Sequence, residues 1–224
     1  MGQTTADCRG EMTRNDRRPV ILPVYLTFST DTPNPNLMPA TTEIPQVLPY
    51  AYPLDDFYAQ QGLRLPPIKE IPGEELPQPY RSLLGHADLT PSLEYFHGDQ
   101  LRLTVLRRQQ RGDYYFRGAV LSRDRDQLPV EFGAIKVSLK LFSTIARHAI
   151  LTEQLPLGRI LTEHRIRHTS KPKAFLQLES DEFINEALQL SESKTLFGRR
   201  NTLWSEDLKP LAETVEILPP EPRN

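Results

Sequence analysis

Cysteine is nearly absent from this chain, which has one, Cys8, among its 224 residues. A single thiol closes no internal disulfide, and its place in a polar N-terminal stretch gives no setting for a catalytic cysteine. Long apolar runs are also lacking, since none approaches the roughly 20 residues that cross a bilayer. No apolar segment follows Met1 as it would in a secretory signal. These absences predict a cytoplasmic protein that does not enter a membrane.

An excess of charge of either sign is missing as well. The chain has 27 Lys and Arg residues against 29 Asp and Glu, a formal net charge of −2. This balance gives no electrostatic reason to expect nucleic acid or an anionic membrane as a partner. No Gly-rich loop follows a strand, which argues against a nucleotide-phosphate site, and no Gly-x-Ser-x-Gly motif indicates a serine hydrolase.

Proline, in contrast, is abundant but unevenly distributed, because 13 of the 21 prolines fall between Pro19 and Pro79. Proline fixes φ and removes a backbone donor, so regular structure is repeatedly interrupted there. We predict a flexible Pro-rich segment over residues 1–42, in which an apolar patch at 20–26 could dock as an edge strand. Residues 43–220 are predicted to form a single domain, with an extended connector at 63–79.

Beyond Pro79 the hydrophobic pattern changes repeatedly between the periods of strands and helices. Polar turns join the first three predicted strands directly, which indicates an antiparallel meander. The fold class is therefore predicted as α+β with a single, largely antiparallel sheet. The predicted strands are 101–105, 114–121, 130–139, 174–178, 195–203 and 215–218, and the predicted helices are 55–62, 80–86, 90–98, 141–151, 157–161 and 181–190.

One histidine pair has the spacing of a metal site. His164 and His168 are one helical turn apart, and Glu163 lies beside them. The neighbouring Arg165 and Arg167 disfavour a divalent cation, however, so a solvated basic segment is the favoured interpretation and no metal is predicted.

Arginine among apolar residues is the strongest chemical signal. Arg117 lies in a predicted strand and shares one face with Tyr115, Ala119 and Leu121 by period-two counting. A buried guanidinium is costly unless it is paired or binds an anion. On an outward face it would only extend its charge into water. The residues alone leave both alternatives open.

Three further charged positions are equally ambiguous. Arg199 and Arg200 follow Gly198, which is typical of a basic surface turn but also places two guanidinium groups beside a flexible residue. Glu216 lies between Val215 and Ile217 and would face outward if those two face the core. Together, the charged residues predict at most a pocket for a small carboxylate.

Several short motifs stand in a fixed order over a little over half of the chain, between Leu89 and Pro219. They are Leu89-Thr90, Phe116-Arg117, Leu155-Pro156-Leu157-Gly158-Arg159-Ile160-Leu161, Phe197-Gly198-Arg199-Arg200, and Lys209-Pro210-Leu211 leading to Val215-Glu216. Their order and spacing resemble the chorismate pyruvate-lyase family. The resemblance implies an antiparallel sheet with helices on one face and helical flaps over an enclosed ligand pocket.

The resemblance also implies an activity, namely elimination of pyruvate from chorismate to give 4-hydroxybenzoate, a quinone precursor, without metal or organic cofactor. Arg117 and Glu216 take the catalytic positions: Arg117 binds the ring carboxylate, and Glu216 either accepts the C4 proton or only hydrogen-bonds the hydroxyl. The small-molecule partner implied is chorismate, and the oligomeric state is left open. The residues implied to bind substrate or product are Leu89, Arg117, Leu157, Gly158, Arg199, Arg200 and Glu216.

A non-catalytic module is the main alternative, because the same fold is the effector-sensing half of some bacterial transcription regulators, and a fold does not fix a function. Those regulators carry a DNA-binding helix-turn-helix ahead of the sensor. The first 80 residues here are Pro-rich and not basic, which favours the enzyme. A related lyase with a 3-hydroxy or salicylate-type product is a third hypothesis.

Overall fold

An antiparallel sheet of seven strands forms the frame of residues 50–220, the part of the chain that the computed structural model describes. The predicted flexible segment at 1–42, its patch at 20–26 and Cys8 lie outside the described residues, so the predicted domain division stays a prediction. The sheet order is β1-β5-β6-β7-β4-β3-β2. The strands are β1 (Ile68–Ile71), β2 (Leu101–Arg111), β3 (Tyr114–Arg123), β4 (Pro129–Ser138), β5 (His168–Glu179), β6 (Thr195–Ser205) and β7 (Pro210–Leu218).

Helices cover both faces of this sheet. Two of them, α1 and α6, pack on one face around Phe132 and Leu176. The other four cover the opposite face, where α2 and α3 pack near Leu121 and α4 and α5 pack near Leu203. The predicted α+β class with a single antiparallel sheet is therefore confirmed, but the expectation of helices on one face is wrong, because α1 and α6 cover the second face. The helices are α1 (Leu54–Ala59), α2 (Tyr80–Gly85), α3 (Leu89–His97), α4 (Thr144–Thr152), α5 (Leu157–Glu163) and α6 (Glu182–Leu188).

The predicted meander is present in β2, β3 and β4, which pair consecutively. Gly112 makes the tight turn between β2 and β3 with a φ of +57°, a left-handed conformation that glycine adopts without steric cost. On β3, Arg117 faces the side covered by α2 to α5, while Gly118 faces α1. A Cβ on Gly118 would lie 2.1 Å from the Phe57 ring, so the bare backbone lets α1 approach the sheet.

The edge at β1 differs from prediction. Residues 68–71 were expected in an extended connector, but they pair with β5 and bury Ile68 and Ile71. β5 also begins earlier than expected, at His168, and contains Pro172 at a register shift that absorbs the missing backbone donor. Both differences arise because prolines interrupt the local pattern while pairing with distant strands supplies the order.

Within residues 50–220, no helix combines the length and apolar character that crossing a membrane requires.

Candidate ligand-binding site

A cavity lies between the sheet and the first turns of α3 and α5, which we call the flap helices. It holds about 650 Å³ of space, part of it open to solvent. Its floor is the flap-side face of β3, β4, β6 and β7. Its apolar lining includes Leu89, Leu103, Leu121, Leu157 and Leu203.

The flap helices meet tightly above this floor. A Cβ on Gly158 would lie 3.0 Å from the Thr90 hydroxyl oxygen, so the glycine permits close approach of the first turns of α5 and α3. Leu89, Leu157 and Gly158, all predicted as binding residues, line the cavity from this side. The structure therefore brings the three flap positions to one place.

Arg117 is the central charged group of the cavity. Its side chain is buried, with the residue 5% exposed, and its Nη1 atom has no hydrogen-bond partner within residues 50–220. Burial lowers the pKa of Arg117, while nearby Tyr115 and Glu153 raise it again. Glu153 is already engaged, because it accepts a hydrogen bond from Tyr115 and pairs with Arg108 at 2.6 Å. An arginine keeps its charge in such a setting, so a cation with a free donor faces the cavity.

Thr214 offers a second unpaired polar atom. Its Oγ1 is buried and has no partner among the described residues. Thr214 pairs with Ile135 on β4, and Ile135 pairs with Arg117 on β3, so the two polar side chains stand in one row on the same face. Strand spacing puts their Cα atoms about 10 Å apart. Both residues line the cavity.

Arg199 has its donors occupied by the protein. Its Nε donates to Glu216 at 2.5 Å, and its Nη1 and Nη2 donate to the carbonyls of Leu84 at 3.0 Å and Ala87 at 3.3 Å. A further bond reaches the carbonyl of His86. Arg199 therefore fixes the loop before α3 to the sheet and holds the Glu216 carboxylate in place, facing the cavity.

Arg200 lies outside the cavity and corrects one predicted position. It donates to Glu213 at 3.0 Å and to the carbonyl of Tyr52 at 3.3 Å, on the side of the sheet that α1 covers. Neighbouring residues of a strand point to opposite faces, so Arg199 and Arg200 cannot both reach one ligand. Because Arg199 and Arg200 are adjacent in the motif, both were predicted to bind the ligand.

Glu131 is an ionisable cavity residue that the sequence did not reveal. It is 8% exposed, lines the cavity, and lies diagonal to Glu216, since Glu216 pairs with Gly133 two positions further along β4. Burial raises the pKa of Glu131 to about 8; repulsion from Glu216 adds to the rise, and Arg199 and Arg117 oppose it. Its only sequence signal was a carboxylate between Val130 and Phe132 in a predicted strand.

An ion pair holds the start of α3. Asp88 precedes the first residue of this helix and lines the cavity, and its Oδ1 lies 2.9 Å from Nε2 of His168 at the start of β5. The interaction raises the pKa of His168 and lowers that of Asp88. His168 is thus partly buried and engaged, unlike a residue of a solvated segment. Among the described residues, no group of three or more His, Cys, Asp or Glu side chains is arranged to hold a metal ion.

No protein-family model matches the chain, and no curated protein matches its sequence. Among solved structures, it is similar to the ligand-binding domain of a putative GntR-family transcriptional regulator from Bordetella bronchiseptica (12% identity, covering 55% of this chain and 90% of that chain, TM-score 0.41). It is also similar to PhnF from Mycobacterium smegmatis (11%, 63% and 67%, TM-score 0.47). A third is the C-terminal domain of the histidine utilization repressor from Pseudomonas syringae (12%, 56% and 95%, TM-score 0.40).

These comparisons contradict the prediction of an enzyme. Several of the similar solved structures are described as transcriptional regulators or as the ligand-binding domain of one, and nothing in the comparisons supports a lyase, pyruvate release or quinone biosynthesis. The catalytic roles expected of Arg117 and Glu216 are withdrawn with the activity. The function therefore has to be argued from the cavity.

Proposed function

We propose that this chain is a module that binds a small organic monocarboxylate in the cavity and leaves it chemically unchanged. One observation carries the proposal: the guanidinium of Arg117 is buried in the cavity wall with an unpaired Nη1. A buried donor left unsatisfied costs on the order of 1–3 kcal/mol, and more when the group is charged. A carboxylate offsets this cost with a charge-assisted bond whose geometry suits a guanidinium.

Thr214 supports the same position for the ligand. Its unpaired Oγ1 stands in the same row as Arg117, and a hydroxyl donates readily to a carboxylate oxygen. A ligand anion in this row therefore satisfies two buried polar atoms together, at no loss of existing bonds. The apolar residues around the row then enclose the rest of the molecule.

The charges of the cavity favour a ligand with one negative charge. Arg199 is already bonded to Glu216, and His168 to Asp88, which leaves Arg117 as the cation with a donor free for the ligand. A second anionic group at the far end would face the Glu216 carboxylate, and like charges in a closed site repel strongly. A neutral group that donates a hydrogen bond to Glu216 fits there instead.

One of the similar solved structures is the ligand-binding domain of a putative GntR-family transcriptional regulator. For this chain we propose ligand binding only, and no role in transcription.

Titration calorimetry with benzoate and 4-hydroxybenzoate tests the proposal. Truncating one partner of an enclosed charge pair costs roughly 2–5 kcal/mol, so Arg117→Ala should lower the affinity at least about 30-fold. Arg117→Lys should recover part of the affinity, because lysine keeps the charge but lacks the two-pronged donor geometry of the guanidinium. Thr214→Val should lower it about two- to tenfold, as expected for one hydrogen bond.

Arg102→Ala is the matched control, since Arg102 lies on the neighbouring β2 with its side chain 58% exposed, and it should bind as the wild type does. Chromatography of each acid after incubation should recover it unchanged. The proposal is wrong if neither acid binds, if Arg117→Ala binds like the control, or if a ligand is converted.

A further inference from the structure

Glu131 is the acidic side chain of the cavity that the protein leaves unpaired. The neighbouring Glu216 is held by Arg199 at 2.5 Å. Glu131 makes no hydrogen bond or ion pair within residues 50–220, although it is buried and lines the cavity. A buried polar group is normally satisfied, so the carboxyl of Glu131 is available to a ligand.

Gly133 gives that carboxyl its position. A Cβ on Gly133 would lie 3.1 Å from Oε1 of Glu131 and 3.8 Å from Cα of Glu216. The carboxyl therefore lies over the bare backbone of Gly133, on the side towards Glu216. A side chain at Gly133 would press against the Glu131 carboxyl, so the glycine lets the carboxyl take this position.

The two ends of the cavity are well separated. Glu131 pairs with Leu121 on β3, and the same strand carries Arg117 on the same face. The rise of a strand places Arg117 and Leu121 about 13 Å apart. The long side chains of Arg117 and Glu131 shorten this gap to a length that a small ring with one group at each end can bridge.

Three charged groups act on Glu131 from the neighbouring strands. Glu216 on β7 repels its charge, and Arg199 on β6 and Arg117 on β3 attract it. Above them, Asp88 at the start of α3 is paired with His168 on β5. Two adjacent buried carboxylates rarely both ionise. Arg199 is bonded to Glu216 at 2.5 Å, whereas Glu131 has no such bond. Burial raises the pKa of Glu131 to about 8, so Glu131 is the acid that holds a proton.

We propose that Glu131 determines the specificity of this cavity: as a neutral carboxylic acid, it donates its O–H to an uncharged oxygen at the end of the ligand opposite the carboxylate on Arg117. The ligand class is thus a monocarboxylic acid with a hydroxyl, ether or carbonyl oxygen at its far end. This inference rests on the proposed function and goes beyond it in naming the far-end group and the residue that recognises it.

The test compares benzoate, which lacks a far-end oxygen, with 4-methoxybenzoate, which has an oxygen that only accepts, and 4-hydroxybenzoate. Calorimetry at pH 6.5 should show both oxygen-bearing acids binding about two- to tenfold more tightly than benzoate, the value of one hydrogen bond. For 4-methoxybenzoate this preference should vanish above pH 8, where Glu131 loses its proton.

Two variants separate the roles of the proton and the side chain. Glu131→Gln keeps an N–H donor and has no proton to lose, so it should retain the preference for 4-methoxybenzoate at pH 9.5. Glu131→Leu should lose the preference at both pH values. Glu70→Gln, on the exposed side of β1, is the control and should behave as the wild type. Cooperative thermal melts verify that each variant is folded.

The possible failures are distinguishable. If benzoate binds in an Arg117-dependent way but the oxygen-bearing acids gain nothing, or gain equally in Glu131→Leu, the inference about Glu131 is overturned and the proposed function stands. If none of the three acids binds the wild-type chain, both are overturned.

Discussion

Replacing Glu131 by glutamine should stabilise the fold at alkaline pH and much less at acidic pH. An unfolded glutamate loses its proton near pH 4.5, whereas burial holds the proton on Glu131 of the folded chain until about pH 8. Between these values the folded state binds one more proton than the unfolded state. The stability of the wild type therefore falls as the pH rises through this window. Glutamine carries no titrating proton, so the variant lacks this loss.

The size of the effect follows from the same shift. A pKa difference of one unit corresponds to about 1.4 kcal/mol. A rise in pH from about 4.5 to about 8 can therefore lower the free energy of unfolding by on the order of a few kcal/mol. That is a large part of a typical stability of about 5–15 kcal/mol. Since His168 and Asp88 titrate in both proteins, their contributions cancel when the variant is compared with the wild type. Above pH 8 the difference should reach a plateau.

Urea unfolding at a series of pH values from 5 to 9 measures this difference, provided that the slope with urea is the same for both proteins. The advantage of Glu131→Gln should grow steadily up to about pH 8. Glu70→Gln, exposed on β1, should follow the wild type throughout. A difference that stays constant with pH, or a variant that is less stable at pH 9, would refute the protonated, buried carboxyl.

Three further outcomes are expected. His168→Gln should destabilise the fold most below pH 6.5, because the raised pKa of His168 makes its ion pair with Asp88 stabilising at low pH and lost as the pH rises; thermal melts at pH 5.5 and 8.5 measure this. Gly158→Ala should weaken benzoate binding several-fold in calorimetry, because its methyl group pushes against Thr90 at the flap contact. Arg200→Ala should leave benzoate affinity unchanged, since the side chain lies on the opposite face.

Much of the fold could be read from the sequence, because the strands from β2 onwards and their turns follow local patterns. The predicted strands at 114–121 and 130–139 correspond closely to β3 and β4. β1 could not be found in this way. Its four residues lie among prolines and become a strand only by pairing with β5, far along the chain. Local periodicity carries no information on such a partner.

The site was predictable to a smaller extent. Arg117 and Glu216 were singled out, and the structure places both on the cavity. Glu131 was missed because helices cover both faces of the sheet. The alternation of apolar and polar residues then does not tell which face carries the cavity. Thr214 was missed for the same reason. Whether a strand residue meets a cavity depends on the helices that cross it, and these contacts are set by tertiary packing.

The motifs that suggested an enzyme serve the architecture of the cavity. Gly158 lets the flap helices meet, and a Cβ on Gly198 would lie 2.5 Å from the carbonyl oxygen of Glu216. Arg199 ties the loop before α3 to the sheet through backbone carbonyls. Each of these contacts is needed to build an enclosed pocket, whether or not a bond of the ligand is broken there. A resemblance carried by such residues therefore predicts the pocket. What the pocket binds, or does to its ligand, depends on side chains such as Glu131, which the motifs do not contain.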